Sequence, residues 1–236
     1  KKRFSLRKKL VLIFGFLIAA ALTTAALITI GNARKAVLEK VEAHLTDKAT
    51  DIAEVIDGRI SSVVQFIEGL ARMPFLRDNS MTLTEKAELL IKEAERNKKI
   101  DYFGICDMQG NRYDGTGHRT PVRDREWFKS ASQGKNFITE PAISNITNNM
   151  QIIFAVPIYD DDNAIIGVLN AAVPAKLLSE EIDDIVVGQT GECYILGLKG
   201  TVIAHKNFDM VTKQRNMIEE GKNNKNLASL AAFLQH

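Results

Sequence analysis

A run of 21 residues without a charged side chain, Leu10–Ile30, constrains the fold of this chain more than any other feature. As an α-helix, a run of this length spans about 30 Å, which is the thickness of the hydrocarbon core of a membrane. It therefore predicts a transmembrane helix over residues 10–30. The alternative is a cleaved signal peptide, whose apolar region is usually shorter, about 7–15 residues.

Basic residues cluster directly before this run and indicate its orientation. Six of the 31 Lys and Arg residues lie in residues 1–9, which contain no acidic residue. The rest of the chain therefore has 25 basic and 29 acidic residues, a slight excess of negative charge. Because positive flanks stay in the cytoplasm, residues 1–9 are predicted to be cytoplasmic and the chain after residue 30 extracytoplasmic, in the cell (inner) membrane. Since positive charge is confined to one terminus, a nucleic-acid-binding face is not expected.

A long amphipathic pattern follows from Ala33 to about Arg72. Its apolar residues are spaced mostly by three or four, and no proline occurs before Pro74. This pattern predicts one stalk helix within residues 31–73, whose apolar seam must be covered by a partner chain, a folded domain or both. We expect a homodimer through this helix. The seam residues are Leu38, Val41, Leu45, Ile52, Val55, Ile56, Ile60, Val63, Ile67 and Leu70.

The pattern then changes to short elements typical of an α+β fold. A capping-box sequence, Thr82 to Glu85, predicts a second helix that runs to about Asn97. Residues 124–131 predict a short helix with Asp124 as its N-cap, after a loop over residues 115–121. Strands are predicted at Tyr102–Cys106, 112–114, 137–139, 151–159 and 165–173.

A second unit of similar pattern begins after a predicted connecting helix over residues 174–187. Strands at 193–196 and 201–205 repeat the earlier order of strand, Gly-containing turn and return strand, and a polar helical tail over residues 207–236 follows. The repetition suggests two related modules in tandem, the second incomplete. Because the chain also lacks an initiator Met, we interpret it as part of a larger protein.

No pattern of catalytic or metal-binding residues stands out. Nucleophile-elbow, Walker and zinc-protease motifs are missing, and His118 and His205 lack zinc-site partners. The acidic run at 160–162 lacks the Gly and distal Glu of a Ca²⁺ loop, which favours a solvated turn. Cys106 and Cys193 are expected to be small buried side chains, and a disulfide between them is the alternative. We expect no enzyme activity, metal or cofactor.

The segment Asp124–Phe128 contains the only tryptophan, Trp127, beside Arg125 and a second aromatic residue, Phe128. Such a group can form the wall of a small-molecule pocket, with the arginine binding a carboxylate or another anion. The alternatives are core packing of the two aromatic rings and a surface ion pair of Arg125 with Asp124 or Glu126. Further candidates from strands that face the same cleft are Tyr113, Thr139, Phe154 and Asn170.

With these features the chain resembles the double-Cache (dCache, PAS-like) sensor regions of bacterial methyl-accepting chemotaxis proteins. The resemblance rests on the basic-flanked anchor, the stalk helix, the segment 124–131, and the strand sequences Pro157-Ile-Tyr and Ile166-Gly-Val-Leu. It implies a transmembrane helix that continues into the stalk, followed by tandem PAS-like modules with antiparallel sheets. Residues 74–173 would be the membrane-distal, ligand-binding module, and 188–236 the opening of the membrane-proximal module.

Amino-acid-sensing members of this family carry a Tyr, four residues, Arg-x-Trp-Tyr and a later strand Asp that binds the ligand's amino group. Arg125 and Trp127 match this pattern. Thr120 and Phe128 replace its two tyrosines, and Ala172 replaces the Asp. Without that carboxylate, a desolvated ammonium group has no partner. A carboxylate or other anion is therefore the expected ligand class.

The resemblance implies an extracytoplasmic sensor that binds a small molecule and signals across the membrane to cytoplasmic partners that control chemotaxis. A histidine kinase or a diguanylate cyclase is an alternative output. A membrane-anchored extracytoplasmic enzyme is a third hypothesis. It predicts a buried cluster of titratable groups in place of an aromatic-lined pocket with one arginine.

Overall fold

The computed structural model describes residues 6–187, 191–224 and 232. Its helices are α1 (Leu6–Ala71), α2 (Pro74–Arg77), α3 (Leu83–Arg96), α4 (Glu126–Ala131), α5 (Ala175–Asp183), α6 (Asp209–Thr212) and α7 (Met217–Asn223). Its strands are β1 (Tyr102–Cys106), β2 (Asn111–Tyr113), β3 (Arg119–Pro121), β4 (Phe137–Ile138), β5 (Ala142–Ile143), β6 (Met150–Tyr159), β7 (Ile165–Pro174), β8 (Val186–Val187), β9 (Gly191–Glu192), β10 (Tyr194–Leu196) and β11 (Val202–His205). Along the chain, the boundary between two compact units lies between Val55 and Ile56.

The first unit contains the part of α1 before Ile56, including the uncharged run. Large apolar side chains of this run are exposed, and Phe16 exposes 75% of its surface. The hydroxyls of Thr23, Thr24 and Thr29 each donate to the carbonyl four residues earlier at 2.8 Å, so these polar groups are satisfied within the helix. Among the described residues, α1 alone is long and apolar enough to cross a membrane.

The second unit begins within α1, where the apolar stripe becomes buried. Ile67 and Leu70 are 0% and 4% exposed, and Ile60 and Val63 pack against the same core. The predicted spacing of three and four residues thus places one side of the helix in the core. The helix ends at Ala71, close to the predicted end, three residues before the proline that begins α2.

The predicted capping box is confirmed at the start of α3. The Thr82 hydroxyl accepts from the Glu85 N–H at 3.2 Å, and the Glu85 carboxylate accepts from the Thr82 N–H at 2.7 Å. The helix buries Ala87 and Leu90 in the core that includes the end of α1. Lys86 is also buried; its Nζ donates to the Leu76 carbonyl at 2.9 Å, and burial lowers its pKa.

The main sheet of the second unit is antiparallel, with strand order β3-β2-β1-β7-β6-β4, and β5 pairs separately with β6. Ile105 of β1 pairs with Leu169 of β7, which in turn pairs with Val156 of β6. An α+β architecture of an apolar helix followed by an antiparallel sheet was predicted and is confirmed.

Alternation along the strands gives this sheet two chemically different faces. The core face packs in the same cluster as α1 and α3; its residues include Phe103, Ile105, Ile152, Phe154, Val156, Leu169 and Ala171. The other side, which we call the open face, carries the intervening positions, among them Gly104, Cys106, Arg112, Gln151, Ile153 and Asn170. Helix α4 covers part of the open face, where Trp127 and Phe128 cluster with Cys106, Ala155 and Val168.

Two local predictions before residue 150 were wrong, and one short strand was missed. Residues 115–121 are not entirely loop, because Arg119–Pro121 forms β3 on β2; a proline is tolerated there at the sheet edge. Helix α4 starts at Glu126, with Arg125 and not Asp124 at the N-cap and no side-chain capping bond. The short strand β5 was missed, since two residues carry no readable alternation.

The later elements also needed correction. The helix predicted over residues 174–187 ends at Asp183, and Val186–Val187 pairs with β9 as a strand. The predicted strands near 193–196 and 201–205 are confirmed as β10 and β11. The tail contains α6 and α7, while residues 225–231 and 233–236 lie outside the described residues. Cys106 and Cys193 are both free, Cys106 fully buried and Cys193 partly so.

Candidate ligand-binding site

A cavity of about 240 Å³ lies on the open face of the sheet. Strands β1, β2, β3, β6 and β7 contribute to it, together with α4 and the segment 139–146. Its lining residues are Tyr102, Arg112, Thr120, Val122, Arg125, Trp127, Thr139, Ala142, Ile143, Ser144, Asn145, Ile146, Gln151, Ile153 and Asn170. This volume suits a small-molecule ligand.

Four residues singled out from the sequence line this cavity together. Trp127, 8% exposed, makes an edge-to-face contact with the Phe128 ring, with centroids 6.2 Å apart. Arg125 is exposed and forms no ion pair with a described residue, so the alternative of a surface pair with Asp124 or Glu126 is not realised. Thr139 and Asn170 complete the group.

Two other candidates, Tyr113 and Phe154, lie on the core face and not in this cavity. They were predicted to face the same cleft, which is wrong. Successive residues of a strand point to opposite sides of the sheet, and the residues that precede these two, Arg112 and Ile153, are the ones that line the cavity. Phe154 is 5% exposed within the core cluster. The Tyr113 hydroxyl instead donates to the Asp107 carboxylate at 3.2 Å.

Phe128 and Ala172 also fall outside the lining of the cavity. Phe128 is 4% exposed and packs beneath α4 with Ala131 and Ala155, which matches the core-packing alternative. Ala172 is fully buried, and its strand partners are Tyr102 and Ile153, both of which line the cavity. It therefore lies next to the cavity on the open face without contributing to its wall.

Arg112 lines the cavity and was missed by the sequence analysis. It is 4% exposed, its guanidinium lies 5.0 Å from the centre of the Tyr102 ring, and its buried Nη1 has no hydrogen-bond partner among the described residues. A signal for it exists in the sequence. A short hairpin after Cys106 pairs that residue with Arg112, so a buried cysteine places the arginine on the same face.

Gly104 makes room for two polar side chains of the cavity. A Cβ atom at this position would lie under 3.0 Å from the guanidinium of Arg112 and from the Asn170 side-chain oxygen. The absence of a side chain in the middle of β1 therefore lets Arg112 and Asn170 meet over the backbone.

Hydrogen bonds orient the amide groups of the cavity. Gln151 donates through Nε2 to the Asp101 carboxylate and accepts from the Tyr102 hydroxyl at 3.3 Å. Burial raises the pKa of the Cys106 thiol to about 12, with Arg112 partly opposing the shift, so the thiol stays protonated. It lies 3.9 Å from the Asn170 Oδ1 and can donate to it weakly.

The cavity lining contains two arginines and no acidic residue. Acidic residues Glu95, Asp101 and Asp114 line a neighbouring cavity of about 300 Å³, which shares Tyr102, Arg112 and Ile146 with the first. Within the described part of the chain, no group of three or more His, Cys, Asp or Glu residues is placed to hold a metal ion.

A smaller apolar cavity of about 100 Å³ lies on the core face. Ile60 and Val63 of α1 line it together with Ile152, Phe154 and Val173 of the sheet. Strands β6 and β7 therefore lie between two cavities, one polar and one apolar, and Thr139 lines both. Arg59 and Glu181 also line the apolar cavity and form an ion pair of 3.2 Å.

Comparisons with known proteins agree with this architecture. The model of the Cache domain family matches residues 31–232. Similar solved structures include the Pseudomonas aeruginosa amino acid chemoreceptor PctC ligand-binding domain in complex with GABA, at 19% identity over 77% of this chain and 82% of that chain, TM-score 0.58. The Pseudomonas fluorescens chemoreceptor CtaA domain in complex with L-serine is 20% identical over 78% and 79%, TM-score 0.58.

The sensory domain of the Campylobacter jejuni chemoreceptor Tlp3 with isoleucine bound is also similar, at 15% identity over 76% and 77% of the two chains, TM-score 0.56. No protein with a curated description matches this chain. At these identities the structures support the fold, and the family match covers most of the chain. The protein belongs to the Cache domain family.

Proposed function

We propose that this chain is the ligand-sensing region of a transmembrane chemoreceptor, and that the cavity on the open face binds a small anionic molecule. The observation that carries the proposal is the position of Arg125 and Trp127. These are the residues that match the amino-acid-sensing pattern, and they line one cavity with a second, buried arginine. Arginine binds carboxylates through a planar pair of N–H donors, and a nearby aromatic ring excludes water.

The charges favour an anion over an amino acid or an amine. No lining residue carries a carboxylate, and the position of the family's ammonium-binding Asp is Ala172. An ammonium group in this cavity would lose its hydration without gaining a charged partner. The chemoreceptor domains compared above are described in complex with GABA, L-serine or isoleucine. This chain would therefore differ from them in ligand class.

The module boundaries and the topology belong to the same proposal. Residues 74–173 would form the membrane-distal module that binds the ligand, and 188–236 would open a membrane-proximal module after the link at 174–187. The uncharged run at 10–30 would cross the inner membrane with residues 1–9 in the cytoplasm, as the basic cluster favours. The exposed apolar seam after residue 33 would pair with a second copy of the chain.

Signal transmission would use the two sides of strands β6 and β7. Gln151 and Asn170 line the ligand cavity, while Ile152 and Phe154 share the core with residues of α1 on the other side. Closure around a ligand would change how the sheet packs on that helix, by a shift of about 1–2 Å. A ligand can drive such a shift only if it binds one packing more tightly than the other.

The test is a thermal-shift screen of the full chain in detergent against carboxylates, amino acids, amines and nucleobases. A carboxylate should raise the unfolding temperature of the wild type, and Arg125→Ala should abolish that rise. Arg123→Ala, an exposed arginine two residues earlier, serves as the matched control. If no compound stabilises the wild type, or if Arg125→Ala keeps the full shift, the site assignment fails.

The output is tested separately in cells that carry the full-length receptor. Chemotaxis towards or away from the ligand that depends on Arg125 would support the chemoreceptor. A ligand-dependent change in cyclic diguanylate or in phosphotransfer, without a chemotactic response, would instead assign the sensor to a cyclase or a kinase.

A further inference from the structure

Arg112 is a buried cation with an unpaired N–H group. Charged side chains are almost never this deeply buried unless they are paired, because removing the charge from water is unfavourable. Among the described residues Arg112 forms no salt bridge, and its Nη1 donates to no acceptor. The stacking contact with the Tyr102 ring does not use the in-plane N–H groups. Arg112 is therefore ready to donate to an acceptor that enters the cavity.

The groups around Arg112 do not neutralise it. Its strand partners are Thr120 and Cys106, and the Cys106 thiol is protonated. Asp114 is an acidic group that interacts electrostatically with Arg112, and its Oδ1 accepts from Thr116 and from the His118 N–H. Partial burial raises the pKa of Asp114, but these hydrogen bonds and Arg112 hold it below its ordinary value. This carboxylate is thus engaged in its own loop and leaves the guanidinium without a direct partner.

Arg125 supplies a second cation from a different part of the cavity. It precedes α4 and is exposed, whereas Arg112 lies on β2 and is buried. One arginine therefore lies at the solvent side of the cavity and the other at its buried side. Between them the lining offers neutral donors and acceptors, including Thr120, Asn170 and Gln151.

We propose that the ligand is a small dianion, a dicarboxylate of about four carbons, with one carboxylate on Arg125 and the other on Arg112. This inference rests on the proposed function and adds the ligand's second charge. Succinate is a small molecule with a carboxylate at each end, which matches a small cavity with one arginine at its solvent side and one at its buried side. A monocarboxylate would leave Arg112 unpaired, and a zwitterion would place its ammonium group near a buried cation.

The test compares three ligands that share a four-carbon skeleton: succinate, butyrate and 4-aminobutyrate. Their binding to the full chain in detergent is measured by titration calorimetry. Succinate should bind about 30-fold more tightly than either of the others, because removing one partner of a buried charge pair weakens binding by at least this factor. Equal or tighter binding of butyrate or 4-aminobutyrate would overturn the proposal.

Variants then assign the second carboxylate to its arginine. Arg112→Gln should weaken succinate by about 30-fold and leave butyrate unchanged, whereas Arg125→Gln should weaken both. Arg119→Gln is the matched control, since Arg119 lies on the neighbouring strand over the Tyr113 ring, is exposed and does not line the cavity. Unchanged succinate binding in Arg112→Gln would contradict the proposal.

A second variant keeps the test independent of folding defects in Arg112→Gln. Thr120 lies directly opposite Arg112 in the β2–β3 register, so Thr120→Glu would place a carboxylate of the protein beside the guanidinium. It should raise the unfolding temperature and abolish succinate binding. If Thr120→Glu binds succinate like the wild type, the proposal fails.

The outcomes also separate this inference from the proposed function. If the wild type binds another carboxylate in an Arg125-dependent manner but does not bind succinate, the proposed sensor function is supported and the proposed dicarboxylate ligand is wrong. If no compound binds at all, both fail.

Discussion

The two faces of the central sheet are built from alternate residues of the same strands, yet they have opposite chemistry. On the core face, Phe154 and Leu169 pack in an apolar cluster with the end of α1. On the open face, their chain neighbours Ile153 and Asn170 line a cavity with two arginines. The difference shows that burial alone does not identify a structural residue in this protein. Arg112 and Asn170 are as buried as the core residues. However, the Arg112 Nη1 has no hydrogen-bond partner among the described residues, and the Asn170 Oδ1 has only a weak contact with the Cys106 thiol.

The largest expected effect comes from Phe154→Ala, which tests the core face. Phe154 is 5% exposed in the main hydrophobic cluster, so its truncation should destabilise the second unit by about 3–5 kcal/mol. Fluorescence of the single tryptophan, Trp127, during urea unfolding in detergent measures this loss.

The matched control is Ile153→Ala, one residue earlier on the open face. Ile153 is only partly buried, so its truncation should destabilise less and weaken ligand binding more. A Phe154→Ala protein of wild-type stability with weak ligand binding would contradict the division into two faces.

An intermediate effect is expected for Gly104→Ala, which disturbs the open face from below. The added methyl group would displace Arg112 and Asn170, which are side chains and can move, so the loss of stability should be about 1–3 kcal/mol. Ligand binding should fall more strongly than stability. Gly69→Ala serves as the control, because the space around that glycine in α1 is open and alanine favours a helix.

If Gly104→Ala binds ligand like the wild type, Arg112 and Asn170 do not need their present positions to form the site. Calorimetry and urea unfolding on the same protein samples separate the two effects.

The smallest effect is expected in the capping box of α3, the helix that covers the core face. Hydrogen bonds from the Thr82 N–H and hydroxyl lower the pKa of Glu85. Because the folded pKa lies below the unfolded one, this contribution to stability is present above about pH 4.3 and is lost as the pH falls through the folded value. The wild type should therefore lose more stability on acidification from about pH 5 to 3 than Glu85→Gln does.

Glu88→Gln, an exposed position on the same helix, should keep the wild-type pH dependence. The measurement is the unfolding temperature across this pH range. Parallel curves for the wild type and Glu85→Gln would show that the capping carboxylate does not contribute in this way.

The local elements could be predicted wherever one strong pattern was present. The uncharged run and the apolar spacing up to Leu70 predicted helix, and Thr82 with Glu85 marked the start of α3. Long strands such as β6 and β7 were recognisable from their apolar runs. Several strands of two or three residues, β3, β5, β8 and β9, were missed, since pairing with a neighbour, and not composition, makes them strands.

The site was predicted only in part for the same reason. Arg125 and Trp127 could be named because a family pattern marks them, and both line the cavity. Tyr113 and Phe154 were assigned to the wrong face of the sheet, because the face that a strand residue occupies can be determined only once the strand register is known. Arg112 was missed because arginine in a short strand usually points to solvent.

The amino-acid sequence by itself determined the apolar helix, the α+β class, and the presence of a cluster around Trp127 next to an arginine. These properties depend on composition and spacing within short stretches of chain. Only the tertiary structure decided that Arg112, from a strand distant in sequence from Asn170 and Gln151, faces the same cavity as Arg125. The physical reason is the pairing of β1 with β2 and β7, because strand register and side-chain alternation together determine which side chains share a face of the sheet.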